Sequence, residues 1–454
     1  DQGLVARILV PADYGLMSLA TSFTAYTEIF SELGLGAAII QRPNPTRNAL
    51  SSVFWFSLGI SICFALACFP IAELTAYLFH ETRVIPLTRA VSVLFIINGL
   101  QIVPANLLRK ELDFKKVSII NFTSVVASCG FMLLLANLGA GVWTLLGGHL
   151  FRSTIKLVMT YAFARWMPSF LFDASTARSY LSFGFTVSMA RSLTYLYQNS
   201  DRFFAGRFWA PPTVGLYSFA LNLAQLPTEK ITVIINQVSF PAFSKLQNDP
   251  VEFNRFYLHA LRVTATLVLP LFVCGFLLAG DLIPVLLGDK WLPMIPVFRF
   301  LCLTQIVTSI NAINDFVHNA QNRPRWFLVN SLGLAIFMPL SFYFAAQRGL
   351  YAMPIPWSTT YVVLCAIWIL VTLRKLGIPV RLYGANLVQA VLATVAMAAA
   401  VLVVRTGWGM LPDGWTPRLL SLGIQILTAG ASYFAWLWIF DRQLFHEFRR
   451  LRAA

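Results

Sequence analysis

Apolar blocks run the length of this chain, separated by short stretches that carry charge, proline or glycine. Several, such as Ser51–Phe69, Val117–Leu138 and Leu387–Val404, reach the ~18–20 residues a helix needs to cross a hydrocarbon core. Reading the breaks between blocks predicts helices over 14–40, 48–79, 86–108, 117–138, 142–164, 179–206, 213–243, 256–280, 292–319, 326–346, 352–373, 383–404 and 418–440. The opening residues are a fragment of one more, so the expected fold is an all-α membrane protein of about fourteen transmembrane helices. Blocks longer than the minimum imply tilt, kinks or extension beyond the bilayer.

The chain also repeats itself. Residues 1–20 read DQGLVARILVPADYGLMSLA and residues 201–220 read DRFFAGRFWAPPTVGLYSFA. Asp1/Asp201, Arg7/Arg207, Pro11/Pro211, Gly15/Gly215, Leu16/Leu216, Ser18/Ser218 and Ala20/Ala220 recur in register, and Pro86 and Arg89 sit like Pro296 and Arg299. Two six-helix units, beginning near residues 1 and 179, therefore look like copies of one lobe. Each copy has an even number of crossings, so the two should be related by an axis along the membrane normal, with a substrate path between them. We expect an N-terminal lobe over 1–175, a second lobe over 176–375, two extra helices over 376–440 that match neither copy, and a basic amphipathic cytoplasmic tail over 441–454 lying along the membrane surface. Asp201 stands near the end of a span beginning around Arg178. By analogy, roughly twenty residues of a first span precede Asp1, and most of that first helix is expected to be missing. The repeated prolines and glycines read as punctuation, proline starting a helix and glycine letting helices approach.

Composition supports the membrane reading: 57% of residues are hydrophobic and 12% charged, against about 45–50% and about 25% in soluble domains. The six cysteines (Cys63, Cys68, Cys129, Cys274, Cys302 and Cys365) lie within apolar segments without metal-site or redox spacing. No HExxH, GxSxG or Walker-type loop is present. The sequence thus offers no catalytic residue, metal site or cofactor, and neither an enzyme nor a nucleic-acid partner is expected.

The net charge of +15 has two sources to weigh, the positive-inside rule and a cationic cavity. Alternate connections divide nineteen basic residues, among them Arg109, Lys110, Lys115, Lys116, Arg374 and Lys375, from six: Arg83, Arg207, Lys290, Arg348, Arg405 and Arg418. That bias places both termini in the cytoplasm. It leaves several charges within spans, where each costs at least ~2.5–3.5 kcal/mol. Arg152 and Lys156 share a face near the middle of one helix. Arg191 is central in the first helix of the second lobe, with Arg202 nearer its outer end; Arg89 and Arg299 lie closer to span ends. Glu28 and Glu32 share a face, and Glu229 and Lys230 are adjacent in mid-span. Arg262 and Asp315 read as interhelical ion pairs or snorkelling side chains. Arg152, Lys156 and Arg191 outnumber nearby carboxylates and lie too deep to snorkel. A water-filled cavity that attracts anions is the reading they support, and paired arginine forks suit a pyrophosphate. Glu28, Glu32 and Asp315 are the weaker candidates for carrying a coupling ion, H⁺ or Na⁺.

Asn199, Asp201, Gly206 and Arg207, followed by Gly215-Leu216-Tyr217 and Phe240-Pro241-Ala242-Phe243, resemble the polysaccharide flippases of the multidrug/oligosaccharidyl-lipid/polysaccharide (MOP) exporter superfamily. LLGDKW at 286–291, NRPR at 322–325 and the opening stretch 8–42 continue the resemblance. Trp209-Ala210 departs from the more usual Leu-Gly of that pattern. The resemblance implies two six-helix lobes around a cationic cavity and export of polyprenyl-pyrophosphate-linked oligosaccharide repeat units across the bacterial inner membrane. The product would be a cell-surface polysaccharide such as exopolysaccharide, capsule or the O-antigen of lipopolysaccharide. Implied partners are the lipid-linked oligosaccharide, membrane lipids, and the polymerase and export machinery of the same pathway. Arg152, Lys156 and Arg191 are expected to face substrate, then Arg89, Arg299 and Arg202. A multidrug cation antiporter of the same superfamily would want anionic binding residues. A polymerase or ligase would want a sizeable outer loop, and the longest here is about a dozen residues.

Overall fold

A computed structural model describes residues 2–32, 35–36, 39, 45–111, 113–246, 249–320, 324–407 and 415–441; within these, side chains at 2, 25–32, 176–191, 233–242, 244–245, 315–316, 318–320, 324–328, 407 and 415–417 lie outside the description. The described chain is helical throughout. In order, the helices are α1 (Gln2–Ile8), α2 (Pro11–Glu32), α3 (Arg47–Phe79), α4 (Val84–Lys110), α5 (Phe114–Asn137), α6 (Val142–Ala164), α7 (Ala174–Phe208), α8 (Pro211–Leu246), α9 (Pro250–Leu287), α10 (Ile295–Ala320), α11 (Pro324–Ala346), α12 (Thr360–Leu376), α13 (Val380–Gly407) and α14 (Trp415–Phe440). Each apolar block corresponds to one of them. Nine stretches among the described residues are long and apolar enough to cross a membrane by length and composition. Large apolar side chains point outward as lipid-facing surfaces require: Phe122, Val403 and Leu427 are each more than 70% exposed.

The helices overrun the hydropathy limits because hydrogen bonding continues where the hydrocarbon ends. The α9 helix is 38 residues long against an apolar stretch of 256–280. Its extra N-terminal turns begin at Asp249, whose carboxylate accepts the N–H groups of Val251 and Glu252 at 3.1 Å, with Pro250 pre-set for the first turn. Thr46 caps α3 through the Ala49 N–H (3.2 Å) and Asp113 caps α5 through the Lys116 N–H (3.1 Å). Hydrogen bonding and charge from Lys116 hold the Asp113 carboxyl below the ordinary range. His80 (φ 54°) and Arg165 (φ 48°) end α3 and α6 in the left-handed conformation. The block predicted at 352–373 is broken: a helical turn at Ile355–Ser358, preceded by Pro354 and carrying Pro356 at its second position, precedes α12.

Contacts divide the chain into two compact units, residues 1–218 and 219–454. In the first, α3 packs on α4 through buried small residues at helical spacing: Ser57, Ser61, Ala65, Cys68, Ala72 and Ala76. Gly99 of α4 sits directly on Ser61. Lipid tails remove the hydrophobic drive between helices, so this close backbone approach is what holds the pair. In the second unit, α9 packs against α10, α13 and α14. Arg262 of α9 forms the expected interhelical ion pair, with nearly buried Asp441 just beyond α14, and the Tyr433 hydroxyl donates to the Thr266 carbonyl at 2.7 Å. The two extra helices are thereby pinned to α9. Gly288 closes α9 at φ 93°, a conformation that favours glycine, and turns the chain so that Trp291 is buried against Phe219, ring centroids 4.4 Å apart.

Candidate functional site: a cationic helix face and a crossing of the repeated segments

The α6 helix is fixed by contacts with α5 and α4. Gly147 and Gly148 let α5 approach, with Gly148 pressed against Met132, and Phe131 stacks on Phe151 at 4.4 Å. Toward α4, Gln101 donates to buried Thr160 at 3.1 Å and the Tyr161 hydroxyl donates to the Leu100 carbonyl at 2.9 Å. Two faces remain open, one apolar with Trp143 and Val158 exposed and one bearing His149, Arg152 and Lys156, spaced i, i+3, i+7. His149 and Arg152 are exposed and Lys156 is half-buried. Among the described residues, no carboxylate lies within salt-bridge distance of Arg152. A mid-span guanidinium exposed to lipid would cost at least ~2.5–3.5 kcal/mol, so this face fits water better than lipid. His149 was missed by the sequence reading, although its i−3 position to Arg152 was the available signal.

The other predicted cations have partners. Arg89 pairs with Glu73 of α3 at 2.6 Å and lies 5.8 Å from the Phe69 ring centroid. Arg299 donates to the Phe276 carbonyl at 3.2 Å and lies 5.9 Å from that ring. Arg202 donates to Asn199 at 3.1 Å. The side chains of Arg191, Glu28, Glu32 and Asp315, Asp1, and the tail at 442–454 lie outside the described residues.

The repeated segments meet each other. A Cβ on Gly15 would overlap the Pro211 carbonyl, and a Cβ on Gly215 would overlap the Pro11 carbonyl. One turn deeper, the hydroxyls of Ser18 and Ser218 hydrogen-bond at 2.9 Å. Residue i touches j′ while j touches i′, the signature of a two-fold contact. The chain repeats Pro, Gly and Ser because both copies use them against one another. The family-motif residues brace this crossing. Asp201, fully buried, accepts from the Tyr217 hydroxyl at 2.7 Å and ties α7 to α8. Gly206 admits Leu19 of α2 and Phe79 of α3. Arg207 donates to the His80 imidazole at 2.7 Å. Phe203 packs edge-on against Phe23 and Phe79, 5.7 and 5.9 Å away.

The second unit also carries an apolar groove of about 540 Å³ on the outside of α9, α13 and α14, lined by residues including Leu267, Pro270, Leu271, Met397, Tyr433 and Phe434.

A chain of long apolar helices with a mid-span cationic face and an internally repeated segment is a multi-pass membrane protein. It is similar in structure to the lipid II flippase MurJ in an inward closed conformation, with TM-score 0.78, 16% identity, and coverage of 97% of this chain and 96% of that one. It is also similar to an inward-facing multidrug resistance MATE family transporter of the MOP superfamily, with TM-score 0.62, 15% identity, and coverage of 83% and 91%. These likenesses establish the MOP fold. The sequence profile for "Polysaccharide biosynthesis protein" matches residues 4–296, and the chain belongs to that family. Relatives include the lipopolysaccharide biosynthesis protein WzxC of Escherichia coli strain K12, 26% identical over 311 residues, or 68% of this chain and 63% of that protein. The teichuronic acid biosynthesis protein TuaB of Bacillus subtilis strain 168 is 23% identical over 413 residues, 90% of this chain and 85% of that one.

Proposed function

We propose that this protein is a flippase that carries polyprenyl-pyrophosphate-linked oligosaccharide repeat units from the cytoplasmic to the periplasmic face of a bacterial inner membrane, for assembly of a surface polysaccharide. The observation that carries the reading is the α6 face: Arg152 exposed at mid-span with no carboxylate among the described residues, and Lys156 one turn on. An anionic diphosphate head suits such a face, since a guanidinium fork and an ammonium offer charge-assisted donors. A cation antiporter would need the opposite sign. A polymerase or ligase would need an outer loop, whereas the turns α1–α2, α3–α4 and α7–α8 are only a few residues long.

In this reading Arg152, Lys156 and Arg191 receive the pyrophosphate while the polyprenyl chain stays outside, with the groove on α9, α13 and α14 of suitable chemistry to hold it. Both termini face the cytoplasm, which puts the α2–α8 crossing on the periplasmic side. The crossing is then the closed outer end of the path, and parting α2 from α8 there releases the head group. Coupling to H⁺ or Na⁺ would fall to Glu28, Glu32 or Asp315.

The test is made in cells lacking the protein. Lipid-linked units should accumulate with sugars accessible only from the cytoplasmic side, and the full-length gene should restore outward exposure. Units that reach the outer face unpolymerised would replace this reading with an enzymatic one.

A further inference from the structure

The two units build the same arginine site and finish it differently. In the first, Arg89 at the start of α4 lies over Phe69 and meets Glu73, one turn along α3. In the second, Arg299 at the start of α10 lies over Phe276 at nearly the same distance, but the residue one turn along α9 is Gly280. The acid comes one residue later. Asp281 is turned to Gln425 of α14 instead, at 3.4 Å. Where Glu73 stands in the first unit, the second has a glycine faced by two cations: a Cβ on Gly280 would lie 3.5 Å from Nη2 of Arg299 and 3.6 Å from Nη2 of Arg405, which arrives from the last turn of α13.

Neither guanidinium has a carboxylate partner among the described residues. Arg299 donates through Nε to the Phe276 carbonyl, and Arg405 through Nη1 to the Leu277 carbonyl, both at 3.2 Å. Backbone carbonyls fix the forks without neutralising them, and both Nη2 groups are left converging on one point. Two like charges aimed at one glycine repel each other unless an anion lies between. The site sits in the last turns of α9 and α13 and the first of α10, where long helices leave the hydrocarbon and phosphate head groups begin.

We propose that Arg299 and Arg405, whose Nη2 groups converge beside Gly280, form a binding site for a lipid-borne phosphate. Glu73 fills the corresponding place in the first unit with an internal carboxylate, so that unit needs no ligand there. The second unit keeps the arginine, drops the acid and adds a second arginine from a helix outside the repeat. The phosphate belongs either to a membrane phospholipid or to the diphosphate of the exported lipid. The site's existence does not depend on the export reading.

The decisive substitution restores the first unit's chemistry. A Cβ at Gly280 meets only ordinary contact distances, and the Gly280→Glu carboxylate would compete with the phosphate for the two guanidinium groups. Binding of fluorescent phosphatidylglycerol, and separately of a polyprenyl pyrophosphate, to the purified full chain in phosphatidylcholine-doped micelles is measured by anisotropy. Gly280→Glu, Arg299→Gln and Arg405→Gln should each weaken binding at least fivefold. Weakening toward both probes assigns the site to phospholipid head groups generally; weakening toward the pyrophosphate alone assigns it to the exported lipid. Parental binding by Arg299→Gln and Arg405→Gln would overturn the proposal, whatever the glycine variant does.

Discussion

At the α2–α8 crossing the two copies have kept the same residues, whereas at the ends of α3 and α9 they have parted. Pro11, Gly15 and Ser18 face Pro211, Gly215 and Ser218 reciprocally, so a change in either copy strikes the other. The partners described for Arg89 and Arg299 lie within their own units, and there one copy carries Glu73 where the other has Gly280 and the additional Arg405. A repeat that touches itself is held to symmetry; a repeat that touches something else is free to acquire a different task.

The sharpest way to break this contrast is at the crossing. Gly15→Leu or Gly215→Leu should remove most folded protein, seen as lost abundance in the membrane, because the obstructing atoms are backbone carbonyls that cannot rotate away. The milder Gly15→Ala and Gly215→Ala should each destabilise by about 1–3 kcal/mol. The double variant should cost less than the sum, since parting α2 from α8 relieves both overlaps at once; additive melting shifts would show that the contacts are independent. Next in size, Arg262→Ala leaves Asp441 buried without its cation and should cost about 3 kcal/mol, read as a lower melting temperature and easier proteolysis of α14. Tyr217→Phe leaves Asp201 short of one donor and should cost about 1–2 kcal/mol. The smallest effect belongs to Glu81–Arg83, 2.7 Å apart between α3 and α4. Hydrogen bonding to Arg83 lowers the Glu81 carboxyl below its ordinary value. Its contribution is therefore present above the usual glutamate range, about pH 4.3, and fades as pH falls through the lowered value. At under ~1 kcal/mol, Glu81→Gln should leave melting near pH 7 almost unchanged.

Much of this architecture was legible because a bilayer permits few solutions: apolar length alone located the helices from α2 to α14. The break before α12 escaped because Pro354 and Pro356 sit inside an otherwise continuous apolar run. Helix ends escaped because capping by Thr46, Asp113 and Asp249 is set by hydrogen bonds rather than hydropathy. At the site, the α6 cations were readable from their own helix, since i, i+4 spacing is local. The reciprocal Gly15/Gly215 contact was visible only as a repeat, because sequence identity does not reveal that two copies touch. Arg405 could not be linked to Arg299 from sequence, since only the packing of α13 on α9 brings them to one glycine.

The central claim is that the crossing opens during export, and one cross-link tests it. With the six native cysteines replaced, Ser18→Cys and Ser218→Cys, whose hydroxyls stand 2.9 Å apart, should form a disulfide. We predict that the oxidised protein leaves lipid-linked sugars confined to the cytoplasmic face and that a reductant restores their outward exposure. Full export by quantitatively cross-linked protein would contradict the account.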